Sequence, residues 1–118
     1  VMSHQPLAID LKPPGLVLSA SKSAALDGHT RYTVVRGNAD LCKAVCDDLM
    51  ARKSVHFEPN DVLITTGEEM AIYEALLSIC NEYDDVLVPT PAWGSYRDLV
   101  RLCRATPVSV RTEASDGY

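Results

Sequence analysis

The chain has 118 residues, 47% of them hydrophobic and 23% charged, and a formal net charge of −5. That length gives one domain or a piece of one, with a core able to bury roughly two thirds of the surface an unfolded chain exposes. The composition is that of a soluble globular protein. An acidic balance without clustered Lys or Arg among aromatics excludes a nucleic-acid backbone binder.

The start, Val1-Met2-Ser3-His4-Gln5, has neither a basic n-region nor an apolar h-region, so no secretory signal is expected. No apolar run approaches the roughly 20 residues that span a bilayer. No membrane partner and a cytoplasmic location follow as expectations. Cys42, Cys46, Cys80 and Cys103 show neither CxxC pairing nor a disulfide-scaffold spacing, and read as small buried hydrophobes in a reducing compartment. His4, His29 and His56 are scattered, with no serine or carboxylate at a useful spacing, and read as surface or loop residues.

Residues 1–15 are loop-like up to the Lys12-Pro13-Pro14-Gly15 cluster. An alanine- and serine-rich helix is predicted from Leu16 to Leu26, stopped by Asp27-Gly28, and His29 to Gly37 is an irregular link. Asn38 is an N-cap candidate for a helix to about Arg52. Its inner face is Leu41, Val45 and Leu49; Asp40, Lys43 and Asp47 face outward. After a loop at Glu58-Pro59-Asn60, the apolar run Val62-Leu63-Ile64 is strand-like. It turns through Thr65-Thr66-Gly67 into a helix predicted from Thr66, with a Thr66/Glu69 capping box, to about Glu82. Two apolar rows (Ile72, Leu76, Ile79 and Tyr73, Leu77, Cys80) leave only Glu74, Ser78 and Asn81 as a polar strip, so this helix is expected to be largely buried.

A second strand follows at Asp85–Pro89, then a loop at Thr90–Gly94 and a helix over Ser95–Arg104. That helix turns Leu99, Val100 and Cys103 inward and Arg97, Arg101 and Arg104 outward. Thr106 to Thr112 alternates like a half-buried strand. From Asp61 the order is β-α-β-α-β, which predicts an α/β fold with a mostly parallel sheet flanked by helices. Ligands of such sheets bind outside the carboxyl ends of the strands. The Thr65–Glu69 turn and the Thr90–Gly94 loop therefore belong to one rim, and a strand, a glycine turn and a helix start make an anion-site candidate. The plainer readings are an ordinary small-residue turn at Gly67, a packing role for Trp93, and core positions for Tyr73 and Tyr96 with one satisfied hydroxyl each. Neither GxGxxG nor GxxxxGK[ST] follows a strand, which ranks nucleotide binding last.

Three motifs in order, YTVVRG (Tyr32–Gly37), VLITTG (Val62–Gly67) and DDVLVPTPAWGSY (Asp84–Tyr96), resemble the early part of fold type I pyridoxal-phosphate aminotransferases of class I/II. The likeness covers roughly Thr30 to Tyr118. It implies an incomplete three-layer α/β/α large domain, with residues 1–37 an N-terminal arm and linker and 38–118 the first part of the cofactor-binding domain. It also implies pyridoxal 5'-phosphate as cofactor, with Gly67, Glu68 and Glu69 around its phosphate and Trp93 stacked on its ring. Tyr32 would reach the phosphate of a partner subunit, so a homodimer is implied. The substrates implied are an amino acid and a 2-oxo acid.

Three departures stand beside the likeness. Similar proteins follow the glycine with a small residue and a neutral or basic one, whereas here Glu68-Glu69 follow Gly67. A carboxylate about 6 Å from a phosphate charge repels it by ~3 kcal/mol at an effective dielectric near 20. Attraction of the same carboxylate to the helix start is only ~0.3–1 kcal/mol. Weakened cofactor affinity is therefore expected unless both side chains turn away or are neutralised. The Lys12–Gly15 stretch looks shortened. Finally, the Schiff-base lysine, the aspartate that pairs with the pyridine nitrogen and the substrate-binding arginine come later in similar proteins, so no catalytic residue is assigned. The 118 residues alone are expected to be inactive. The reading is an aminotransferase of which this is an N-terminal fragment; the alternative is a non-catalytic relative acting as a dimerisation or partner-binding module.

Overall fold

The computed structural model describes residues 11–117. The readings made at Val1–Gln5, including His4, and at Tyr118 lie outside the described residues. The chain forms two compact units, Val1–Val62 and Leu63–Tyr118.

In the first unit, helix α1 (Gly15–Leu26) starts after Pro14 and ends at Asp27. Gly28, at φ 82°, carries the chain out of the helix, and the N–H groups of Gly28 and His29 donate back to the carbonyls of Ala25 and Ala24. Helix α2 (Ala39–Lys53) starts where expected. The Asn38 side-chain oxygen accepts from the N–H groups of Asp40 (2.8 Å) and Leu41 (3.1 Å), satisfying two donors that no helical carbonyl can reach. Lys43 and Asp47 pair at 2.7 Å on the outer face. The inner face is corrected by one position. Cys42 and Cys46 are the buried residues, Val45 and Leu49 are half-buried, and Leu41 is exposed. Cys42 and Cys46 lie one turn apart on the Leu49 side of the stripe, which shifts the covered face toward the cysteines and leaves Leu41 at the opposite margin. Ser54 closes α2 in the left-handed region (φ 56°). A 3₁₀ turn, Pro59–Asp61, follows, its Asp61 carboxylate accepting from the Glu58 N–H at 3.0 Å.

The second unit carries helix α3 (Glu68–Ile79), strand β1 (Asp85–Thr90), helix α4 (Gly94–Leu102) and strand β2 (Thr106–Arg111). The strands pair in parallel, from Asp85 opposite Thr106 to Thr90 opposite Arg111. Backbone bonds from Thr106 N–H to the Asp84 carbonyl and from Thr112 N–H to the Thr90 carbonyl prolong the ladder. Val88, Val100 and Ala105 form the core, with Leu76, Cys80, Val86 and Tyr96 packed around them. A parallel pair joined through a helix is the expected α/β arrangement.

Four expectations fail here. Val62–Ile64 is not a strand: Val62 is extended, but the segment pairs with no strand among the described residues, and a strand exists only through its ladder. Helix α3 begins at Glu68 rather than Thr66, and no side chain caps it. The capping box is absent because Gly67 itself is the N-cap residue, while the neighbouring Thr65 hydroxyl donates to the Gly67 carbonyl at 2.9 Å. The helix also stops at Ile79, because Cys80 turns extended and the Asn81 N–H is taken by the Asp84 carboxylate at 2.7 Å. Nor is α3 largely buried. Leu76 and Cys80 pack on the core, whereas Leu77 and Ile79, to either side of them, are exposed.

All four cysteines are free. Burial pushes the Cys46 and Cys103 thiols up, which keeps them protonated and poorly nucleophilic.

Candidate functional site

Strand β1 ends at Thr90 and the chain crosses Pro91-Ala92-Trp93 before entering α4. The turn before α3 opens onto the same place. Thr66, Gly67, Glu68, Glu69, Trp93 and Tyr96 line one open cavity of about 520 Å³. The glycine turn and the indole that the sequence assigned to one rim therefore meet.

Each wall has a local cause. Gly67 adopts φ 101°, ψ 171°, a region that essentially glycine alone occupies. A Cβ placed there meets nothing within 4 Å, so the requirement is backbone angle and not space. Beyond it the first N–H groups of α3 lack intrahelical acceptors, and no side chain caps them. Their partial positive charge at a helix start suits an anion. Trp93 is the N-cap of α4 and half of its surface is exposed, leaving a flat apolar wall.

Tyr96, one turn beyond Trp93, was read from sequence as a core residue with a satisfied hydroxyl. Its ring does pack against the Val88–Val100–Ala105 core. Its hydroxyl, however, lies at the cavity and donates to the Glu68 carboxylate. That hydrogen bond raises the phenol pKa, followed by burial and the negative charges of Glu68 and Glu69, so the hydroxyl stays a donor. The missed signal was spacing: residues three apart at a helix start share a side, and Trp93 and Tyr96 are such a pair.

Of the acidic pair, Glu68 is thus held by Tyr96, while Glu69 lines the cavity without a hydrogen-bond partner among the described residues. Tyr32 lies in the other unit, fully exposed, beside Thr30 and Arg31. His29 and His56 are exposed, as expected, and His56 lies 3.1 Å from the Glu58 carboxylate. The arginines of α4 and its end form a solvated face, Arg101 pairing with Asp98 at 2.8 Å. The polar strip of α3 is less wet than expected, since Glu74 is half-buried and one of its carboxylate oxygens is buried without a partner. No cluster of metal-ligating residues occurs among the described residues, and no helix there is long and apolar enough to cross a membrane.

Chemically, this cavity suits a flat aromatic ligand carrying an anionic group. Uncapped amides suit an anion, an indole face suits a ring, and the Tyr96 bond holds one of the two carboxylates. Donor set and wall fit pyridoxal phosphate, while the Glu69 carboxylate lining the same cavity opposes its phosphate.

The sequence profile described as "Aminotransferase class I and II" matches residues 9–118. The aspartate/prephenate aminotransferase of Cereibacter sphaeroides is 35% identical over 109 residues, 92% of this chain and 27% of the relative. The bifunctional aspartate aminotransferase and glutamate/aspartate-prephenate aminotransferase of Petunia hybrida is 34% identical, over 92% of this chain and 23% of its own length. Among solved structures, an aspartate aminotransferase from Rhizobium meliloti superposes with a TM-score of 0.86 at 30% identity, covering 92% of this chain and 27% of that one. The chain spans about a quarter of the length of the curated relatives it matches.

Proposed function

From the premise that this chain belongs to the class I and II aminotransferases, we propose that the protein transfers an amino group between an amino acid and a 2-oxo acid with pyridoxal 5'-phosphate. This chain would supply the first part of the cofactor site. The observation that carries the reading is the shared cavity of the Gly67 turn and Trp93. Relatives named for aspartate and prephenate support an acidic amino acid as the donor class.

Bound there, the cofactor supplies an electron sink for chemistry at the substrate α-carbon. The residues of this chain bind and orient. The backbone N–H groups of Gly67, Glu68 and Glu69 hold the phosphate, and the Trp93 face fixes the tilt of the ring and keeps water from that side. Tyr32, exposed on the first unit, is assigned the phosphate of a second copy in a homodimer. Residues 1–37 act as the arm and linker, and 38–118 as the first part of the large domain. Free cysteines support a reducing compartment such as the cytoplasm.

The test is the absorbance of the full-length protein with added cofactor, over about 320–450 nm. A band that borohydride reduces and fixes to the protein is expected; no band would sink the reading. The acidic turn favours a second reading, a non-catalytic relative with weak cofactor binding acting as a dimerisation or partner-binding module. Micromolar or weaker binding that tightens in a Glu68→Gln/Glu69→Gln variant, with no turnover, supports it. Nanomolar binding unchanged in that variant refutes it.

A further inference from the structure

We propose that Tyr96 is a positioning residue that withholds the Glu68 carboxylate from the anion site, so that the acidic turn can accept a phosphate group. The inference rests on the cofactor-site reading above.

The Glu68 side chain begins one residue after Gly67, at the first position of α3. An unrestrained glutamate there is drawn to the free N–H groups of its own helix start, because an anion near that end is stabilised. It would then occupy the amides that an incoming phosphate needs and repel that phosphate as well. Loss of the anion site by internal competition is therefore the default for this sequence. In the structure the Glu68 carboxylate instead accepts from the Tyr96 hydroxyl, which comes from α4. The ring of Tyr96 is fixed by the core residues Val88, Val100 and Ala105, so the donor is held by packing. A bond from a rigid phenol to an ionised acceptor is of the stronger kind. The ordinary alternative, a core tyrosine satisfying its hydroxyl, gives the same contact but no effect on an anion nearby.

The experiment uses the full-length protein and four forms: wild type, Tyr96→Phe, Glu68→Gln and Tyr96→Phe/Glu68→Gln. Dissociation constants for pyridoxal 5'-phosphate and inhibition of that binding by inorganic phosphate are measured, with melting temperatures alongside. Tyr96→Phe is expected to weaken cofactor binding on the order of tenfold, as loss of a charge-assisted hydrogen bond does. The double variant is expected to return to the affinity of Glu68→Gln alone. A rescue of this kind cannot come from lost packing. If Tyr96→Phe binds like wild type, or weakens binding equally with and without the Glu68 carboxylate, the inference is overturned while the cofactor site stands. If folded wild type does not bind the cofactor at all, the site reading falls and takes the inference with it.

Discussion

The Tyr96 hydroxyl and the Glu68 carboxylate are 28 positions apart in sequence, and their hydrogen bond joins the first turn of α4 to the first residue of α3. The raised phenol pKa has a stability consequence with a definite sign. In the folded state Tyr96 keeps its proton to higher pH than in the unfolded chain, where it titrates near its ordinary value of 10.0. The contribution is therefore fully present below that value and is lost as pH rises through the folded-state one. Urea midpoints taken upward from pH 8 should fall more steeply for wild type than for Tyr96→Phe above about pH 10. Parallel profiles would show that the bond does not form in solution.

Gly67→Ala should destabilise the protein by about 1–3 kcal/mol, the range for a side-chain-bearing residue forced into a glycine-only region. Gly94→Ala is the internal control. It also has open space around the added carbon, but its φ is not positive, so its midpoint should stay within about 0.5 kcal/mol of wild type. Equal effects at both glycines would contradict the backbone geometry at Gly67.

Trp93→Ala should weaken pyridoxal-phosphate binding by the loss of one stacked aromatic, about 0.5–1.5 kcal/mol or a few-fold to roughly tenfold. Trp93→Phe should keep most of the affinity. Because half of Trp93 is exposed, thermal stability should hardly change in either. Titration of the full-length variants by absorbance decides it, and intact affinity in Trp93→Ala removes the stacking role.

Asn38→Ala should cost about 1 kcal/mol through the loss of two bonds to the start of α2. Asn38→Asp keeps the acceptor and adds a charge that the helix start favours, so it should match or exceed wild type. Chemical denaturation followed by helix dichroism reads both.

Much of this was legible in the residues themselves. The Asn38 cap, the outward arginines of α4, the parallel strands and the meeting of the Gly67 turn with Trp93 all follow from local chemistry and period. Burial was not legible for α3, because its two apolar rows are alike in composition and the packing of β1 and α4 covers one member of each, Leu76 and Cys80, while Ile79 and Leu77 stay exposed. Val62–Ile64 has strand composition, yet strand formation depends on a partner that composition does not disclose. The Thr66/Glu69 box matched a common pattern, but Gly67 between them takes an angle that moves the helix start past Thr66. Tyr96 escaped notice as a site residue because an aromatic on an apolar helix face looks the same whether its hydroxyl ends in the core or at a cavity.

Strands β1 and β2 pair only with each other among the described residues, and Leu87 on β1 stands 66% exposed. Each strand therefore offers an outer row of backbone donors and acceptors beside greasy side chains, a template onto which identical molecules can zip. Turbid, ladder-forming preparations are the expected behaviour of this stretch produced in isolation at high concentration. Colloidal behaviour at high concentration is thus as much a property of this sheet as its ligand chemistry.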